Sequence, residues 1–146
     1  IKEEISDQEF INSIFDRVNS TERNNEQKEN FLSRLFDAFK IPNEQIPLVK
    51  DLEVLFFKED AVIKNYRTYH RDYTVFGKAY VNVLQGIKER TIVFDFALNI
   101  KFERQENKKL NKLSIKKSEV TFESFKAYCV TSLVEINDLK TYCPSL

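Results

Sequence analysis

Apolar residues near the start of the chain recur at the spacing of an α-helix. Phe10, Ile11, Ile14, Phe15 and Val18 fall on one stripe. Ser6, three residues before Glu9, reads as a capping box that satisfies amides left open at the helix start. The polar stretch Asn19 to Asn25 predicts a turn. Phe31, Leu32, Leu35, Phe36 and Phe39 then restart the stripe in a second helix. Ile41-Pro42 ends that helix, because proline disfavours helical backbone in the residue before it. Leu48, Leu52, Leu55 and Phe56, entered at Pro47, predict a further turn or two of helix.

From about residue 60 the period shortens to two. Val62, Ile63, Tyr66, Tyr69 and Tyr73 predict one or two strands over 61–73. Residues 75–87 read as a short helix bounded by Gly77 and Gly86, with Phe76, Tyr80, Val83, Leu84 and Ile87 on one face; Val81 and Val83 also allow a strand. The clearest pattern follows. Ile92, Phe94, Phe96, Leu98, Ile100 and Phe102 share one parity, and Thr91, Val93, Asp95, Ala97 and Asn99 the other. That alternation predicts a long antiparallel strand with one dry face. Gln105 to Lys109 read as its turn. Leu113 and Ile115 then differ in parity from Val120 and Phe122, which predicts a β-bulge near Lys116-Lys117. A last strand is expected over Lys126 to Ile136.

Helices first and a sheet afterwards make an α+β domain, expected to span 1–146 as one unit. The two helical stripes carry five phenylalanines between them, and they are the only cover available for the dry face of the sheet.

Composition narrows the function more by what is scarce than by what is common. The chain has 146 residues, 23 basic and 23 acidic side chains, two glycines, two cysteines, one histidine and no methionine. Gly77 and Gly86 stand too far apart for a dinucleotide or P-loop fingerprint. One histidine and two cysteines do not close an ordinary structural zinc site without carboxylates, and no metal and no cofactor is expected. Zero net charge argues against steering of the whole molecule to nucleic acid or membranes. No apolar run is long enough for a membrane-spanning helix, so no membrane insertion is expected within this chain.

A start without methionine is expected from signal-peptide removal or from cutting out of a longer protein. Cys129 and Cys143 are spaced for a small stapling disulfide, worth roughly 3 kcal/mol in the chain-entropy picture; in a reducing compartment they are thiols. Together these features point to an extracellular or periplasmic home. The Asn19-Ser20-Thr21 sequon is no more than chance supplies.

The order of elements resembles a family. Asn30-Phe31-Leu32 through Phe39, then Leu52 to Phe57, then Lys58-Glu59-Asp60-Ala61-Val62-Ile63 is similar to the opening of NTF2-like domains. Gly77 opening a short helix before three long meander strands is similar to their second half. The likeness covers about residues 26–136 and leaves a helix at about 6–19 as an extra. It implies helices packed in the hollow of a strongly curved antiparallel sheet, a cone. The cystatin-like helix-on-sheet fold competes with it. Enzymes of the NTF2-like superfamily resemble ketosteroid isomerases, dehydratases or polyketide cyclases, with a carboxylate or histidine inside the cone.

The dry row Ile92 to Phe102 holds no such group. The remaining acid–base candidates are His70, Tyr66 and Asp72, with Tyr69 and Tyr73 beside them. Their ordinary reading is packing and capping at a strand end, with Arg67 and Arg71 lowering the basicity of His70. Neither cysteine has the helix N-terminus that activates a nucleophile. Lys108, Lys109, Lys112, Lys116 and Lys117 form a basic run whose ordinary reading is a solvated hairpin. Phe94, Phe96, Leu98 and Phe102 either line an apolar ligand pocket or fill it themselves.

The expectation is a non-catalytic domain that binds a hydrophobic small ligand or a protein partner. The resemblance adds homodimers through the exposed sheet face at Val93, Asp95, Ala97 and Asn99. A small acid–base enzyme and a periplasmic assembly domain of a secretion or conjugation apparatus are the alternatives.

Overall fold

A computed structural model describes residues 3–4, 6–20, 25–41, 53–85, 88–109 and 112–130. Its elements are β1 (Glu3–Glu4), α1 (Asp7–Asn19), α2 (Asn25–Ala38), β2 (Glu53–Tyr66), β3 (His70–Gln85), β4 (Lys88–Asn107) and β5 (Lys112–Cys129). Strands β2 to β5 form an antiparallel meander, with the two-residue β1 parallel to the outer edge of β5. Both helices pack on one face of this open sheet, which makes the domain α+β as the pattern predicts.

The helices follow their stripes. Ser6 caps α1, its hydroxyl accepting from the Glu9 amide at 3.1 Å. Ile11, Ile14, Phe15 and Val18 are buried beneath it. At its far end the Asn19 side chain joins the open edge of β2. Its Oδ1 accepts from the Phe56 amide at 2.9 Å and its Nδ2 donates to the Phe56 carbonyl at 2.7 Å, which covers part of an unpaired strand edge. The sequon nitrogen is therefore engaged in holding helix to sheet.

Helix α2 closes before proline is reached. Lys40 adopts φ 60°, its amide donates to the Asp37 carbonyl, and the Ile41 amide donates to the Phe36 carbonyl. Those two bonds form a Schellman cap, with lysine in the left-handed position that glycine usually takes.

Three expectations need correction. Leu55 and Phe56 are not helical but lie in β2, where exposed and buried residues alternate. Val54 and Phe56 share the inward parity, and a short apolar run fits both periods. Leu48 and Leu52 lie outside the described residues. Residues 75–85 are strand rather than helix. Their inward row, Val75, Gly77, Ala79 and Val81, is made of small or β-branched residues, while the aromatic Phe76 and Tyr80 face outward. The larger rings therefore stood on the wrong parity for the strand to be recognised.

Gly77 has a different role from the helix boundary expected of it. It pairs with Phe96 across β3 and β4, and a Cβ there would lie 2.8 Å from the Phe96 ring and 2.9 Å from the Phe57 carbonyl oxygen. Only a glycine leaves room for that ring to lie against the strand.

The third correction concerns the last strand. Lys126 to Cys129 are the end of β5, Val130 is in a turn, and 131–136 lie outside the described residues. The predicted bulge is present, with Lys116 the extra residue between Ile115 and Lys117. A second bulge at Phe125 shifts parity again, and that shift resembles the start of a new strand. Gln105 to Asn107, expected in the turn, extend β4, and the described turn residues that follow are Lys108 and Lys109.

The dry row of β4 is buried throughout, from Ile92 to Phe102. Rings from the helices and the α2 cap meet it: Phe36 and Phe39 lie 5.3 and 5.1 Å from Phe94, and Phe10 lies 5.1 Å from Phe102.

Candidate functional site

The inward row of β4 does not stop at Phe102. Arg104 continues its parity, and its side chain is only 1% exposed. A guanidinium cannot remain there without a counter-charge, because taking an unpaired ion out of water costs several kcal/mol. Asp7, in the first turn of α1, supplies it. Its Oδ1 accepts from Arg104 and from Arg71, each at 2.6 Å, and its Oδ2 accepts from the Tyr73 hydroxyl at 2.6 Å. Arg71 and Tyr73 reach it because they alternate onto the inner face of β3.

Burial works against the Asp7 carboxylate, but the Tyr73, Arg104 and Arg71 hydrogen bonds outweigh it and hold the carboxyl below its ordinary value. Burial and the bond to Asp7 push the Tyr73 phenol up to about 12. At neutral pH the acid is ionised and the phenol protonated, and neither is poised to exchange a proton. The cluster is a clasp between α1 and the sheet.

The tyrosine–histidine group read from the sequence is divided by strand alternation. Tyr66 stays beside Arg71, whose guanidinium lies 4.2 Å over its ring, and Tyr73 joins the clasp. His70 and Asp72 share the outer parity of β3, where His70 is exposed. Tyr69, in the turn, donates to Glu106 at 3.4 Å. Sequence reasoning missed the clasp because Asp7 is 64 residues from Arg71 and 97 from Arg104. The available signal was Arg104 itself, a cation on the parity of a dry row.

Phe94, Phe96, Leu98 and Phe102 sit in the core. Phe96 packs between Phe56 and Phe122, at 6.3 and 5.4 Å, and Phe102 stacks on Tyr73. Among the described residues, open space lies between α1, α2 and β5. A groove of about 450 Å³ runs there over Phe10, Ile14, Val18, Phe31, Ile115 and Val120. Its volume is within the range of small-molecule sites, about 300–1,000 Å³.

Arg17, Arg34, Lys116 and Lys117 also line the groove, and its described lining contains no carboxylate. Two consecutive lysines reach it because the bulge at Lys116 breaks strict alternation. Arg34 donates to the Val120 carbonyl, with its guanidinium 5.6 Å from the Phe122 ring centre. Lys116 has a long ion pair with Glu103 at 3.8 Å, in which the lysine side chain is 56% exposed. Such a contact binds weakly in water and leaves the ammonium available.

On the opposite face of the sheet, Lys78 bridges to Asp95 at 2.8 Å, a bond that raises the pKa of the lysine. Phe57, Phe76 and Phe125 are exposed on that side, with Phe76 and Phe125 stacked at 6.0 Å, whereas Val93 and Ala97, expected to be exposed there, are buried. Cys129 is buried at the end of β5, and its expected partner Cys143 lies outside the described residues. Among the described residues, no group of three or more His, Cys, Asp or Glu side chains is placed to hold a metal ion. No helix among them is long and apolar enough to cross a membrane. Compared with protein-family models, curated proteins and solved structures, the chain matches none.

Proposed function

We propose that this chain is a non-catalytic binding domain, NTF2-like in its helix-on-sheet arrangement, that takes a hydrophobic small molecule in the groove between α1, α2 and β5. The observation that carries this reading is a 450 Å³ apolar-floored groove beside a core whose own rings are already packed. The four bulges or irregularities along β2 and β5 support the family likeness, because they bend strands as a curved sheet requires. Proton-transfer chemistry has less support: Asp7 and Tyr73 are tied to each other, and His70 is exposed away from the groove.

The test is titration with N-phenyl-1-naphthylamine, a neutral dye that fluoresces in apolar surroundings. Saturable binding at one site is expected, lost in Ser118→Trp, which places an indole in the groove from an exposed strand position. An unsaturable signal, or one unchanged by that substitution in a folded protein, removes the groove as the site.

A further inference from the structure

Within one face of this domain the same chemistry occurs twice, once completed and once open. In the clasp, two arginines and a tyrosine converge on the Asp7 carboxylate beside the rings of Tyr66 and Phe102. In the groove, two arginines and two lysines stand around an apolar floor with no carboxylate among the lining. The whole chain is neutral, so this local excess is segregation and not a consequence of composition. Among the described residues, neither Arg17 nor Lys117 has a carboxylate partner, and the Lys116 pair with Glu103 is long and exposed.

Resting on the groove reading above, we propose that its ligand is a single-chain anionic amphiphile with a carboxylate head. The chain lies over Phe10, Ile14, Phe31 and Val120, and the head is held by Arg17, Arg34 and Lys117. Charge decides the head. A neutral head gains hydrogen bonds from the four nearby cations but no charge pairing, and a cationic one is repelled. A carboxylate replaces water around donors that already face an apolar wall, where charge-assisted hydrogen bonds are about twice as strong as neutral ones. The lysine pair delivered by the bulge explains how a strand edge presents adjacent cations to one ligand.

Displacement of the naphthylamine dye from the full chain by decanoate, decanol and decyltrimethylammonium tests this, each kept below its micelle concentration. Decanoate is expected to displace about tenfold more tightly than decanol, a difference of about 1.4 kcal/mol, and the cationic amphiphile least of all. Arg17→Gln combined with Lys117→Gln should bring decanoate to the level of decanol while dye and decanol binding hold. Equal displacement by all three amphiphiles overturns the carboxylate assignment and leaves the groove reading standing. Absence of dye binding overturns the groove reading itself. Decanoate binding that survives Ser118→Trp but falls in Phe57→Ser places the amphiphile on the outer aromatic face and overturns this proposal. Dimerisation on adding decanoate, seen by sedimentation, would assign the groove to a second copy and overturn it equally.

Discussion

Arg71 and Arg104 meet a carboxylate beneath the first turn of α1, whereas Arg17, Arg34, Lys116 and Lys117 surround a groove that offers them none. Burial separates the two arrangements. Arg104, at 1% exposure, has no access to water and requires a counter-charge from within the chain. The groove cations remain hydrated and need none until a ligand displaces that water. A closed cluster of this kind is structural, and an open one is where the proposed ligand would supply the missing charge.

The largest effect is expected from breaking the closed side. Asp7→Asn leaves two arginines without their carboxylate and should cost about 3 kcal/mol, read as a lower urea midpoint. A loss near zero would make the clasp ornamental and dissolve the contrast. Next is the packed core beside it. Gly77→Ala forces a methyl against the Phe96 ring and the Phe57 carbonyl and should cost ~2 kcal/mol. Ser118→Trp, placed in the open groove, should change stability by much less in the same measurement.

Acid provides a third comparison. The Asp7 carboxyl has a folded pKa below the ordinary aspartate value of 3.8, so the unfolded chain binds its proton first as pH falls. Its contribution is complete above about 3.8 and is lost progressively as pH drops toward the folded value. Urea midpoints measured from neutral pH downward should therefore fall less steeply at the acid end in Asp7→Asn than in the parent. Parallel curves would show that Asp7 titrates alike in both states.

The smallest effect sharpens the contrast from the open side. Ser118→Asp gives the groove a carboxylate of its own and should shift stability by no more than about 0.5 kcal/mol. The same variant should lose its preference for decanoate over decanol. Raising salt should narrow that preference in the parent, because exposed charges are screened over about 8–10 Å. An unchanged preference in either experiment would mean that the groove cations do not read the head.

Much of the fold was legible in the chain. The two helical stripes, the Ser6 cap, the dry row of β4 and the bulge at Lys116 all appear where periodicity placed them. β3 was hidden because its inward positions are Gly77 and Ala79, and only the β4 rings opposite explain such small residues. The end of β5 was misread because a bulge and a strand boundary both reverse parity. The groove was half visible. Its lysines stood out as a basic run, but Arg17 and Arg34 lie on helices, and nothing local links them to β5.

Sequence alone determined the periods, and with them the dry faces, because alternation and helical spacing follow from backbone geometry residue by residue. It also excluded the glycine-rich nucleotide motifs and a long apolar span. Only the tertiary structure decided which cations are closed and which are open. Asp7 finds Arg104 across 97 residues, and Arg34 reaches the Val120 carbonyl across 86, through packing that no local pattern encodes. Charge counts to zero along the chain, yet it is the folding of helices onto one edge of the sheet that gathers a local excess around an apolar floor.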